Sequence, residues 1–252
     1  MSTTPPRHLE RIDWSPNPHR PPDLGTWPFT MPAVAQLISE GGIEIPPGIT
    51  YLVGENGSGK STLVEAFAAV YPRPGFISPF VKVTGPQPSA EDSSLAYHLR
   101  AKTDKRASPA GFFLRAETMH GYFASVDADD TQERMWNGER LQDRSHGESF
   151  LAVLKYRFAD VGVYFLDEPE AALSFQSCLG LMSLLHRMRQ ERSQVILATH
   201  SPLLVSLQEA TLLEVGDWGI RRVETAEELE LVRAWKDFLD APPRYLRYLL
   251  ED

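Results

Sequence analysis

The run Gly54-Glu55-Asn56-Gly57-Ser58-Gly59-Lys60-Ser61 constrains this chain more than any other feature. It matches the pattern G-x-x-x-x-G-K-[ST], which carries its meaning only between a strand and a helix. Both flanks qualify. Ile49-Thr50-Tyr51-Leu52-Val53 is β-branched and apolar, as a buried strand should be, and Thr62-Leu63-Val64-Glu65-Ala66-Phe67 reads as a helix. The glycines let the backbone curl so that successive N–H groups point inward, and a helix starting near Lys60 adds its positive N-terminal dipole. Such a loop cradles phosphate oxygens. Residues Gly54, Glu55, Asn56, Gly57, Ser58, Gly59, Lys60, Ser61 and Thr62 make up the candidate binding segment. Within it Lys60 reaches the β- and γ-phosphates of a nucleotide and the Ser61 hydroxyl takes Mg²⁺. The alternative is a glycine-rich turn that matches by chance, and the rest of the chain weighs against it.

At 252 residues the chain suits one large α/β domain, or a domain with appendages, with ample length for a core. Its formal net charge is −9 and neither end is a basic tail, which argues against a broad nucleic-acid surface. A local basic groove, or one completed by a dimer, stays open. The single cysteine, Cys178, has no internal disulfide partner, in keeping with a reducing cytosol, and its apolar neighbours favour a packed thiol over a reactive one. No run approaches the roughly 18 apolar residues of a membrane span, and the polar, proline-rich start does not read as a secretory signal. The expected setting is soluble and cytoplasmic.

Residues 1–30, with Pro5, Pro6, Pro16, Pro18, Pro21 and Pro22, read as an extended arm laid on a single domain spanning 31–252. Met31 to Glu40 reads as a short helix, and Ile43 to Ile45 as a strand end before Pro46-Pro47-Gly48. The stretch 89–110 is ambiguous. Gly111 to Glu117 is a strand ending in charged groups, and Ser149 to Phe158 has helical character. Val163 to Leu166 is a continuously apolar strand. Ser177 to Arg192 is a helix with Leu179, Met182, Leu185 and Met188 on one face. Gln194 to Ala198 is the next strand, Thr211–Val215 and Ile220–Val223 an edge hairpin, and Glu227–Leu239 and Arg244–Leu250 closing helices. Strands alternating with helices predict an α/β fold: a mainly parallel sheet flanked by helices, with a smaller antiparallel part.

Two further sites carry chemistry. In Val163-Tyr164-Phe165-Leu166-Asp167-Glu168-Pro169 a carboxylate ends a buried strand, which is costly unless a cation compensates it. Asp167 reads as the residue that holds Mg²⁺ beside a triphosphate, and Glu168 as the group that orients or deprotonates the attacking water. An acidic strand cap is the alternative. In Thr199-His200-Ser201-Pro202, His200 follows a strand and points into the crevice where ligands sit, within reach of a γ-phosphate oxygen. A packed histidine is the alternative there.

These three motifs, in this order, resemble the ATP-binding-cassette (ABC) type of P-loop ATPase. The wording Asp167-Glu168-Pro169-Glu170-Ala171-Ala172-Leu173-Ser174 is most similar to the compact predicted ATPases related to the DNA-repair and chromosome-structure (SMC-like) branch. The resemblance runs from about Trp27 to Leu250. It implies the roles already given to Lys60, Ser61, Asp167, Glu168 and His200, and it adds others. Arg144-Ser145-His146-Gly147-Glu148-Ser149 matches the signature motif, in a helical segment of about 118–160. Ser145, Gly147 and Glu148 would there meet ATP held by an opposing subunit; Arg144, His146 and Glu148 depart from the family pattern. An ordinary helix cap at Ser145 is the alternative. Glu117 replaces the Q-loop glutamine and would bind Mg²⁺ through water, or else makes a surface ion pair. Ala171 to Ser174 would cross the dimer interface. Trp27, Phe29 and His19 are candidates for stacking on the base, or for packing. Only 28 positions separate Glu117 from Ser145, so there is no coiled-coil arm between them.

The resemblance implies Mg²⁺-dependent ATP binding and hydrolysis by a head-to-tail homodimer. It would act as an ATP-driven switch in DNA repair or defence, with an effector protein or nucleic acid engaged through a partner. A transporter's nucleotide-binding subunit and an ATP-sensing scaffold are the alternatives.

Overall fold

The computed structural model describes residues 7–71, 76–77, 94–104, 110–116, 146–157 and 160–250. Its main sheet contains β3 (Ile49–Val53), β4 (Phe76–Ile77), β6 (Ala110–Arg115), β7 (Gly162–Asp167), β8 (Gln194–Thr199), β9 (Thr211–Gly216) and β10 (Gly219–Val223), in the order β10-β9-β3-β8-β7-β6-β4. All neighbours pair in parallel except the β9–β10 hairpin at one edge. A second sheet, wholly antiparallel, joins β2 (Gly42–Glu44), β1 (Leu9–Trp14) and β5 (Leu99–Thr103) in the order β2-β1-β5.

The continuous apolar runs of β3, β7 and β8 are buried along their whole length because both faces of the sheet are covered. Alternation then divides their side chains between two cores. Tyr51, Tyr164, Leu166, Val195 and Leu197 pack with α3 (His146–Arg157) and α4 (Phe175–Gln190). Leu52, Val163, Phe165, Ile196 and Ala198 pack with α1 (Pro32–Ser39), α2 (Lys60–Val70) and the small sheet. The chain closes with α5 (Glu230–Asp240) and α6 (Pro242–Leu250).

Two expectations need correction, and one open stretch is resolved in part. Within the proline-rich segment, residues 9–14 form a strand instead of an extended arm. They lie between Pro6 and Pro16, and Leu9 and Ile12 are fully buried beneath the small sheet. A bulge between Leu9 and Arg11 puts Leu9 and Ile12 on one face at a spacing of three, which hides the period of two. The ambiguous stretch 89–110 supplies β5. On α4 the buried stripe is Cys178, Leu181, Leu184, Leu185 and Met188, which keeps Leu185 and Met188 of the predicted face, with Met182 partly buried beside it and Leu179 37% exposed. Cys178 is a packed thiol, and burial pushes its pKa up.

A buried glutamine ties the small sheet to the base of the large one. Gln194 accepts from Leu9 N–H at 2.8 Å, and its amide donates to the carbonyls of Leu9 and Pro46, each at 2.9 Å.

Candidate functional site

Register places the candidate residues. Val53 at the end of β3 pairs with Thr199 at the end of β8, Asp167 of β7 pairs with Ala198, and Arg115 of β6 pairs with Asp167. The loops leaving β3, β7 and β8 therefore emerge at the carboxyl edge of three adjacent strands, where ligands bind in sheets of this kind.

The loop after β3 is shaped by glycine. Gly57 and Gly59 have φ of 83° and 101°, and a Cβ on Gly54 would lie 2.2 Å from the Val215 carbonyl oxygen. Gly59 sits just before Lys60, the first residue of α2. The Lys60 side chain is 2% exposed. Its ammonium donates to the Glu55 carbonyl at 2.8 Å and lies 3.6 Å from Glu168 Oε1. Burial pushes the Lys60 pKa down, and the carboxylates of Glu168, Asp167 and Glu170 pull against that shift. Ser61 and Thr62 are half-buried in the first turn, and Ser58 Oγ is buried with no hydrogen-bond partner among the described residues.

Asp167 is buried at the end of β7. Its Oδ2 accepts from Arg115 Nε at 2.9 Å, while Oδ1 is buried with no hydrogen-bond partner among the described residues. Arg115 also pairs with Glu65 on α2. The bare acceptor Oδ1 is what a cation site requires, so the residues present fit a divalent ion.

Glu168 adopts the left-handed region at φ 46°, a strained choice for a residue with a Cβ, and its N–H donates to the Ala198 carbonyl at 3.0 Å. This turn sends its carboxylate back over β8, where Oε1 lies 3.4 Å from His200 Nδ1. Lys60, Glu168 and His200 thus meet around one oxygen. Glu170 was singled out only as part of the motif wording. It reaches under His200, accepting from its backbone N–H at 2.9 Å and from the Thr199 hydroxyl at 2.5 Å. Burial pushes the Glu170 carboxyl up.

The signature segment is described from His146 onward by backbone and from Gly147 by side chains. Ser145 and Glu117 lie outside the described residues. Gly147 packs against α4 so closely that a Cβ would lie 2.7 Å from Ser177 Oγ; Glu148 is exposed. Of the three aromatic candidates, Phe29 is buried edge-on against Trp14 at 6.2 Å and His98 at 5.5 Å, whereas Trp27 and His19 are exposed.

Sequence reasoning missed Arg115 and Glu65 as partners at Asp167. The charged end of the 111–117 strand was the one available signal, and only strand order brings it to β7.

Fold and site together define a P-loop domain, with its phosphate loop between β3 and α2 and its acidic and histidine motifs at the ends of β7 and β8. Comparisons with known proteins agree with that class. A family model described as "AAA domain, putative AbiEii toxin, Type IV TA system" matches residues 149–206, and a second, "AAA domain", matches residues 36–71. The ribose import ATP-binding protein RbsA of Jannaschia sp. is 27% identical over 195 residues, covering 68% of this chain and 36% of that protein. The manganese transport system ATP-binding protein MntA of Synechocystis sp. is 28% identical over 215 residues, 74% of this chain and 80% of that protein. The chain spans only 33–38% of the length of the ribose, xylose and galactose import relatives. Among solved structures, the SMC head domain from Thermotoga maritima aligns with 86% of this chain and all of its own, at 15% identity and a TM-score of 0.46. No helix among the described residues is long and apolar enough to cross a membrane.

Proposed function

We propose that this domain hydrolyses ATP with Mg²⁺ and closes head-to-tail with a second copy as it does so. The observation that supports this most is the convergence on Glu168. One carboxylate oxygen lies 3.6 Å from the Lys60 ammonium and 3.4 Å from His200 Nδ1, near an Asp167 whose Oδ1 has no hydrogen-bond partner among the described residues. That arrangement suits in-line attack by water on a γ-phosphate.

Loop residues 54–62 bind the phosphates through backbone N–H groups, and Lys60 exchanges Glu168 for the β- and γ-oxygens. Glu168, released from Lys60, accepts a hydrogen bond from the attacking water and orients or deprotonates it. His200 holds a γ-phosphate oxygen. Asp167 and the Ser61 hydroxyl would hold Mg²⁺, which when bound neutralises charge on the phosphate oxygens. Ser145, Gly147 and Glu148 would complete the site of the opposing copy, with Glu117 contributing through water. The output is closure and opening of the pair, a switch in DNA repair or in defence against foreign DNA, passed to an effector protein or to nucleic acid through a partner. The family model's description as a putative toxin of a Type IV system supports the defence setting.

A second reading, the nucleotide-binding subunit of a transporter, is favoured by the printed names of the import relatives. Co-purification with an integral membrane protein would decide for it.

The test compares Lys60→Ala with Glu168→Gln. Lys60→Ala is expected to lose ATP binding; Glu168→Gln binds ATP, turns over very slowly, and doubles its light-scattering mass on adding Mg·ATP. Near-normal turnover in both variants would overturn the hydrolysis reading.

A further inference from the structure

Glu170 has no part in the phosphate chemistry proposed above, yet it is the most heavily engaged carboxylate near the site. Its side chain is only 8% exposed. One oxygen, Oε1, accepts from the Thr199 hydroxyl at 2.5 Å and from the His200 N–H at 2.9 Å, and lies 3.7 Å from His200 Nδ1. The Thr199 hydroxyl in turn accepts from Ser201 N–H at 3.0 Å. A single buried oxygen therefore fixes three consecutive residues of the His200 turn. The second oxygen, Oε2, is buried without a hydrogen-bond partner among the described residues. A half-satisfied buried carboxylate is an expensive way to cap a turn, which a threonine or asparagine would do at less cost.

The backbone of Glu170 belongs to a different element. It lies in the single turn Pro169–Ala172, where Ala171 N–H donates to the Glu168 carbonyl at 3.1 Å and Leu173 N–H to the Glu170 carbonyl at 2.9 Å. That turn runs directly into Ser174, the N-cap of α4, whose hydroxyl accepts from Ser177 N–H. Ser177 Oγ and Leu173 are in turn the atoms packed against Gly147 at the start of α3. Packed groups thus run without a break from the first turn of α3, through the Ser174 cap and the 169–172 turn, to His200.

We infer that Glu170 is a positioning residue that fixes His200 relative to Glu168 and couples it to the start of α3. The inference rests on the hydrolysis reading above. A misplacement of about 1 Å is enough to cost on the order of 10²-fold in rate.

The test uses the whole chain and four forms: wild type, Glu170→Ala, Glu170→Gln and Glu168→Gln. Glutamine keeps an acceptor oxygen for the Thr199 hydroxyl and the His200 N–H, and alanine keeps none. Glu170→Ala is expected to lose kcat by about 10²-fold with KM for Mg·ATP changed by less than about threefold, since the phosphate loop is untouched. Glu170→Gln restores most of kcat. In histidine-labelled NMR spectra of the nucleotide-free protein, the His200 ring resonance shifts in Glu170→Ala and returns in Glu170→Gln. Should Glu170→Ala not fold, Thr199→Val removes one of the two donors and is expected to move the same resonance and lower kcat in the same direction. Wild-type kcat and an unmoved His200 resonance in folded Glu170→Ala would overturn the inference, as would equal impairment of the Gln and Ala variants. A slow Glu168→Gln beside a normal Glu170→Ala would overturn this inference alone. Normal turnover in Glu168→Gln would overturn the hydrolysis reading and this inference with it.

Discussion

The Lys60 ammonium, buried in the first turn of α2, lies 3.6 Å from Glu168 Oε1, across the gap that separates the phosphate loop from the end of β7. The two residues stand 108 positions apart in the chain and hold each other where the nucleotide's phosphates are expected to enter. On the proposed reading, ATP binding parts them.

That contact yields a stability prediction. Burial lowers the Lys60 pKa, so folding disfavours its charged form. The sign is that of a depressed ammonium: the cost is fully present below the folded pKa and vanishes as pH rises past the unfolded value near 10.4. Lys60→Met is expected to melt higher than wild type at pH 7 without nucleotide, with the difference narrowing toward pH 10, and to lose the upward Tm shift on adding Mg·ATP. A lower Tm at pH 7 would mean that the contacts to Glu55 and Glu168 outweigh burial.

Gly147 lies close against the Ser177 hydroxyl. An added methyl would meet Ser177 Oγ at 2.7 Å. Gly147→Ala should cost about 1–3 kcal/mol by overpacking, a Tm fall of about 2–12 °C in a chain of this size. Ser177→Ala in the same chain removes the clashing oxygen, and calorimetry of the double variant is expected to recover most of the loss.

Arg115 neutralises Asp167, whose side chain is 4% exposed, while Arg115 itself is 26% exposed. Breaking a buried pair costs about 3–5 kcal/mol, and solvent access to Arg115 reduces this to roughly 2–3. Arg115→Met should therefore lower Tm without ligands. Millimolar Mg²⁺ is expected to restore part of the loss in this variant and to change wild type less. Equal Mg²⁺ responses in the two proteins would argue against Arg115 as the counter-ion.

Gln194 holds the small sheet down. Gln194→Leu leaves Leu9 N–H and the Leu9 and Pro46 carbonyls without this partner. Orphaned groups of this kind cost about 1–3 kcal/mol each, so a loss of at least about 2 kcal/mol is expected. Hydrogen exchange at Leu9 N–H should accelerate more than at Leu52, in the centre of the large sheet.

Much of the site was legible because its parts are local. The glycine pattern at 54–59 encodes its own backbone, and β3, β7 and β8 are long enough apolar runs to be read as buried strands. The strand in residues 9–14 was not legible, because a bulge breaks its period and its partners lie at 42–44 and 99–103. On α4 Leu185 and Met188 were legible as buried, but the first half of the stripe was not, because Leu179 and Met182 satisfy a helical period as well as Cys178 and Leu181 do. Only the neighbouring sheet chooses between them.

The sequence by itself determined the glycine loop and the class of fold, and it marked Lys60, Asp167, Glu168 and His200 as candidates, since each follows from residue type beside a strand end. Tertiary structure decided which of them touch. The order β3-β8-β7-β6 sets the strand that leads to His200 between those that lead to the phosphate loop and to Glu168, and brings Arg115 to Asp167. It also lets Glu170 reach beneath His200. Pairing between strands is set by registers and packed faces far apart in the chain, and no local pattern of residues carries that information.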